Sequence, residues 1–184
     1  MIQFYAYIHI NNSDNQPILE SIIHNTFSTT SVEWMNDNVA KLTVIDEESF
    51  QLKLEKLHYL IFSDFNILSS ILIVPCFNNI FLPYLKKLKL EVCTAFEIFL
   101  RHIHHKQTTN DAFKFKNLID KDDLDTIREY LKCNGNANAV AEELFLHKNT
   151  YAYRIKKFTS DTSLNYNDLN TLIFIKLILS ITEY

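Results

Sequence analysis

The stretch CNGNANAVAEELFLHKNTYAYRIKK, Cys133–Lys157, holds the chain's one glycine, Gly135. It also begins a run from Lys148 to Phe158 in which Lys148, Arg154, Lys156 and Lys157 are unaccompanied by any acid. The 184-residue chain as a whole has a net charge of −4, and glycine is otherwise absent from it. Glycine just past a helix end adopts the left-handed conformation without the cost of a Cβ. DDLDTIREYLKCNGN therefore reads as an amphipathic helix with Leu124, Ile127 and Leu131 on one face and acids at its start. Gly135 ends it, and Asn136 caps the next helix through the free N–H groups of its first turn.

ANAVAEEL is that next helix, presenting Ala139, Val140 and Leu144, with Ala141 among the small residues that permit close helix packing. FLH is a three-residue turn whose Leu146 faces inward, and KNTYAYRIKKFT is a second helix. In it Tyr151, Ile155 and Phe158 form an inward stripe at spacings of four and three. Lys148, Asn149, Ala152, Tyr153, Lys156 and Lys157 fall on the outward face, with Arg154 at its flank. Two short helices joined by a tight turn, the second polar and basic outside, make a helix-turn-helix pattern. The residue types suit double-stranded DNA. Asn149 and Thr150 lie in a helix's first turn, where free N–H groups favour phosphate. Arg154 suits guanine or phosphate, Lys156 and Lys157 suit phosphate, and Tyr153 suits phosphate, sugar or a thymine methyl.

Outward from this stretch, IQFYAYIHI (Ile2–Ile10) reads as a strand and ILESIIHNTF as a helix opened by Pro17. SVEWM and VAKLTVI flank Asn36–Asn38 as a hairpin. DEESFQLKLEKLHYLIF is a helix with acids in its first turn and Phe50, Leu54, Leu57 and Ile61 on one face. SSILIVPCF is a buried strand, and Pro83 opens one long helix over Leu82–His105. The order β-α-β-β-α-β-α predicts an α+β first domain of ferredoxin-like or cyclase-like layout, followed by an all-α domain. The polar segment KQTTNDAFKFKNLIDKDD contains the expected boundary, giving domains 1–108 and 109–184. Helices are expected over Asp122–Lys132, Ala137–Leu144, Lys148–Thr159 and Asp168–Ile181.

The run Gly135-Asn136, Ala139, Ala141, Leu144 through Thr150, then Tyr153 through Lys157, resembles the C-terminal helix-turn-helix of PucR-type regulators. The sugar-diacid regulators carry a similar domain, related in pattern to the Fis-type DNA-binding domain. The resemblance covers roughly Asp122–Ile181 and includes a polar loop, SDTSLNYND, before a leucine-rich last helix. It implies a DNA-binding transcriptional regulator, working as a homodimer in the cytoplasm, with a degenerate cyclase-like first domain that senses an unidentified small-molecule effector or mediates assembly. Departures are Lys148 for a usual Arg, Tyr151 for a common Leu, and Ser163 for a common Gly. Losing arginine's fork at 148 weakens the case for base reading there more than for phosphate binding.

No enzyme, cofactor or metal is expected. With glycine only at 135, the first domain has none for a phosphate loop, and no GGDEF-like run occurs. His102 and His105 in RHIHH have ligand-pair spacing, but no second pair or carboxylate accompanies them. DKDDLD (Asp120–Asp125) lacks the glycine and terminal Glu of a calcium loop and reads as an acidic helix start. Cys76, Cys93 and Cys133 are odd in number and form no CxxC, as suits reduced thiols. The start MIQFYAYIHINNSD has no signal-peptide pattern, and LNTLIFIKLILSI is too short to cross a bilayer. Two other classes stay open: a protein-interaction module in which the helix-turn-helix binds protein, and an enzyme in the first domain.

Overall fold

The computed structural model describes residues 3–28, 30–45, 49–75, 80–117, 119–162 and 164–183. The chain divides into two compact units, Met1–Ile98 and Phe99–Tyr184.

In the first unit, strands β1 (Gln3–Ile10), β2 (Thr30–Asn36), β3 (Val39–Ile45), β4 (Ser69–Val74) and β5 (Val92–Thr94) form one sheet in the order β2-β3-β1-β4-β5. The first four strands pair antiparallel, and β5 joins β4 in parallel. The segment from β1 to β4 carries α1 (Gln16–Thr26) and α2 (Phe50–Phe65), the ferredoxin-like arrangement that the element order predicts. Ala6, Ile8 and Ile10 share a face of β1 because strand side chains alternate. They pack with Leu42, Val44 and Ile71 of the neighbouring strands against Leu19 and Ile23 of α1 and Phe50, Leu54, Leu57 and Ile61 of α2. The hairpin turns at Asp37-Asn38, where the Asn36 side chain accepts from the backbone N–H groups of Asn38 and Val39 at 2.9 Å each. The acids expected to start α2, Asp46 to Glu48, lie outside the described residues, as does Cys76.

One expectation is overturned. Leu82–His105 is not a single helix but α3 (Leu82–Leu85), β5, and α4 (Ala95–Arg101). Leu85, Leu88 and Phe99 do carry helical spacing. However, Val92-Cys93-Thr94 lies beside β4, with Ile71 opposite Val92 and Ile73 opposite Thr94. β-Branched residues at an open sheet edge gain ladder hydrogen bonds there. His102 and His105 consequently follow α4, their rings 5.4 Å apart.

The second unit is all helix: α5 (Lys106–Lys116), α6 (Lys121–Lys132), α7 (Ala137–Glu143), α8 (Lys148–Thr162) and α9 (Leu169–Thr182). α5 occupies the stretch that reads as a polar connector. It packs on α9, where Phe115 meets Phe174 edge to face at 5.3 Å. Among the described residues no helix is long and apolar enough to cross a membrane.

Candidate nucleic-acid interface

The helices α6, α7 and α8 pack on one another, and their common core is Leu124, Ile127 and Tyr130 from α6, Val140 and Ala141 from α7, and Tyr151, Ile155 and Phe158 from α8. Leu131 is only half-buried, and Tyr130 holds the deeper place on α6.

Both reversals in this unit use one device. At the end of α6, Asn134 (φ 51°) and Gly135 (φ 81°) are both left-handed, and the Gly135 N–H donates to the Tyr130 carbonyl at 2.9 Å. Asparagine thus takes the first position past the helix and the glycine the second. A Cβ on Gly135 would lie 3.2 Å from Tyr130 Oη. Asn136 then caps α7, its Oδ1 accepting from Asn138 N–H at 3.1 Å and Ala139 N–H at 3.3 Å. At the end of α7, Phe145 (φ 51°) fills the left-handed position. Phe145 N–H donates to the Glu142 carbonyl at 3.1 Å and Leu146 N–H to the Ala141 carbonyl at 2.8 Å, the paired bonds of a Schellman motif. Leu144 and Leu146 are half-buried in this turn. His147 opens α8, its Nδ1 accepting from Asn149 N–H at 3.2 Å.

The face of α8 turned away from this core contains Lys148, Asn149, Thr150, Ala152, Tyr153 and Lys156, all exposed. Arg154 and Lys157 stand elsewhere. The Arg154 guanidinium reaches back to α6, donating to Asp122 Oδ2 at 2.8 Å, Thr126 Oγ1 at 3.3 Å and the Asp122 carbonyl at 3.4 Å. Lys157 Nζ lies 3.3 Å from Asp123 Oδ2 and 3.4 Å from Asp120 Oδ2. Asp120 is the N-cap of α6, and the Asp122 backbone N–H it accepts from is the main reason its carboxyl sits below the ordinary aspartate value. Burial pushes the Asp123 carboxyl up, opposed by the Lys157 ammonium. Burial disfavours the charged Lys157, yet the two aspartates outweigh it and raise its pKa. Local reading explained these acids as a helix start. It missed their pairing with α8 because the partners lie about thirty residues downstream.

Beneath α8, Tyr151 sits with Tyr130 and Tyr166 in an aromatic cluster. Burial, with smaller contributions from Tyr166 and Tyr130, pushes the Tyr151 hydroxyl up to about 12. Tyr130 meets Tyr166 edge to face at 5.6 Å. Two other features that sequence reading left unassigned are the cap by His147 and the exposure of Phe145, which is 96% accessible at the turn. No cluster of three or more His, Cys, Asp or Glu suited to a metal occurs among the described residues.

Residues 123–181 match the PucR C-terminal helix-turn-helix domain. This segment is a PucR-type helix-turn-helix domain. Over 48 residues the chain is 44% identical to the proline-responsive transcriptional activator PutR of Bacillus subtilis (strain 168). That match spans 26% of this chain and 12% of that protein. The structure is also similar to a solved regulator of polyketide synthase expression from Bifidobacterium adolescentis, at 13% identity and a TM-score of 0.44, covering all of this chain and 82% of that one. Within the PucR-type domain, α7 and α8 are the two helices of the motif and Leu144 to His147 the turn between them. Ser163, where the family commonly has Gly, lies outside the described residues.

Proposed function

We propose that this chain is a DNA-binding transcriptional regulator in which α8 enters the major groove. The observation that carries the reading is the outward face of α8. It is acid-free and exposed from Lys148 to Lys156, and it belongs to a segment that matches a helix-turn-helix family. Lys148, Asn149 and Thr150 stand at the N-terminal turn, where the helix dipole favours phosphate. Tyr153 and Lys156 follow one and two turns along. The description of the Bacillus subtilis relative as a transcriptional activator supports a regulatory role.

The chain acts as a homodimer in this reading, because helix-turn-helix proteins read paired half-sites about 34 Å apart. The first domain carries effector sensing or assembly. Its chemistry is binding, not catalysis. The test is capture of genomic fragments by the full chain, followed by sequencing. The expected result is enrichment of a common site with two half-sites about one helical turn apart. Recovery of fragments with no shared sequence would overturn the reading.

One observation favours a protein-interaction module instead. Phe145 is exposed and apolar beside the same face, and aromatic residues are enriched at protein interfaces. If Phe145→Ala abolishes capture of a protein while fragment capture is absent in both chains, this second reading replaces the first.

A further inference from the structure

The cations of α8 divide into two sets by what they touch. Lys148 and Lys156 are exposed, and among the described residues neither has an ion pair or hydrogen-bonded acid. Arg154 and Lys157 are instead held on α6. The Arg154 side chain is 22% exposed and meets three acceptors, one of them the hydroxyl of the fully buried Thr126. Lys157 serves Asp123, whose side chain is 2% exposed. A carboxylate that buried is costly without a partner. Moving either cation onto a phosphate would strip α6 of its contacts, whereas moving Lys148 or Lys156 would strip nothing.

Resting on the DNA-binding reading above, we infer that Arg154 and Lys157 are positioning residues which fix the tilt of α8 on α6, and that they do not contact DNA. Asp122, Thr126 and Asp123 are the receiving half of this clamp. The groove-facing set is then Lys148, Asn149, Thr150, Tyr153 and Lys156. A clamp of this kind sets which side of α8 is presented and leaves the number of phosphates neutralised unchanged. It therefore controls affinity without controlling salt dependence, which follows the phosphate count.

The experiment is fluorescence anisotropy of the full chain on a random-sequence duplex over a salt series, well below the melting temperature. Arg154→Gln is expected to weaken binding several-fold at an unchanged slope of log affinity against log salt. Lys156→Gln is expected to flatten that slope by about 0.9 for each protomer bound. Asp122→Asn should also weaken binding, because it frees Arg154 from its seat. The inference is overturned if Arg154→Gln flattens the slope by about 0.9 for each protomer bound, or if Asp122→Asn tightens binding, as removal of an acid competing with phosphate would.

Melting temperatures separate this result from a failure of the DNA-binding reading itself. If the wild type shows no salt-dependent binding, that reading falls, and the clamp is decided by a double-variant cycle. Asp122→Asn and Arg154→Gln should each lower the melting temperature, and together lower it no further than the worse of the two. Additive shifts would overturn the clamp. Lys157→Gln should likewise lower it, with Asp123→Asn restoring much of the loss; absence of that rescue counts against the Lys157 half.

Discussion

Replacing Gly135 by alanine tests whether the reversal between α6 and α7 is built as described. Gly135 holds φ at 81°, and left-handed backbone costs an L-residue roughly 1–2 kcal/mol. The new Cβ would stand 3.2 Å from Tyr130 Oη and 3.4 Å from Cζ. Tyr130 is 8% exposed and packed edge to face on Tyr166, so it yields only by disturbing that cluster. Against this, alanine reduces the freedom of the unfolded chain, a gain of about 0.4–1 kcal/mol. With the tight Tyr130 contact added, the net expectation is destabilisation of about 1 kcal/mol, or a fall of roughly 4–8 °C in the melting temperature for a unit of this size. Thermal denaturation followed by helical ellipticity measures it. Asn134→Gly is the control, since position 134 is also left-handed and glycine relieves it; its melting temperature should stay level or rise. An unchanged melting temperature for Gly135→Ala would refute the claim that this backbone requires glycine.

Three further outcomes follow from the same geometry. Asn136→Ala removes the acceptor for two N–H groups at the start of α7 and should cost about 1 kcal/mol in chemical denaturation. Phe145→Asn should raise the melting temperature by a few degrees, because asparagine tolerates φ 51° better and the exposed ring gives up almost no packing; a fall would show that the ring packs. Tyr151 ionises at about 12 in the folded chain against an ordinary 10, so between these values the unfolded chain loses a proton that the folded one keeps. Its contribution is complete below pH 10 and declines as pH rises toward 12. Absorbance titration at alkaline pH should therefore show a late phenolate component that Tyr151→Phe removes.

Where sequence and structure agree, the signal is local. Gly135-Asn136 is legible because one residue type frees the backbone and the next caps a helix, and both effects act within a few residues. The strands and helices of the first unit are legible because their apolar residues keep a period of two or near 3.6. β5 is not, because three residues at a sheet edge owe their conformation to β4, about twenty residues earlier. α5 hides for a different reason. Its buried positions Thr108, Asp111, Ala112 and Phe115 have helical spacing, but two of the four are polar. The division of the α8 cations is hidden most deeply. Spacing places Lys157 on the outward face and Arg154 at its edge. Only the packing of α6 against α8 shows that long side chains can swing from there onto Asp122 and Asp123.

The central claim is that the outward face of α8 binds the phosphates of duplex DNA. Fluorescence anisotropy with a duplex recovered from genomic capture, comparing the wild type with Lys148→Ala/Lys156→Ala across a salt series, tests it most directly. For the homodimer the account predicts wild-type affinity falling with log salt at a slope of about −3.6 or steeper, and a slope shallower by about 3.6 in the double variant, four phosphates at ~0.9 each. Equal slopes for the two proteins, or wild-type binding indifferent to salt, would contradict it.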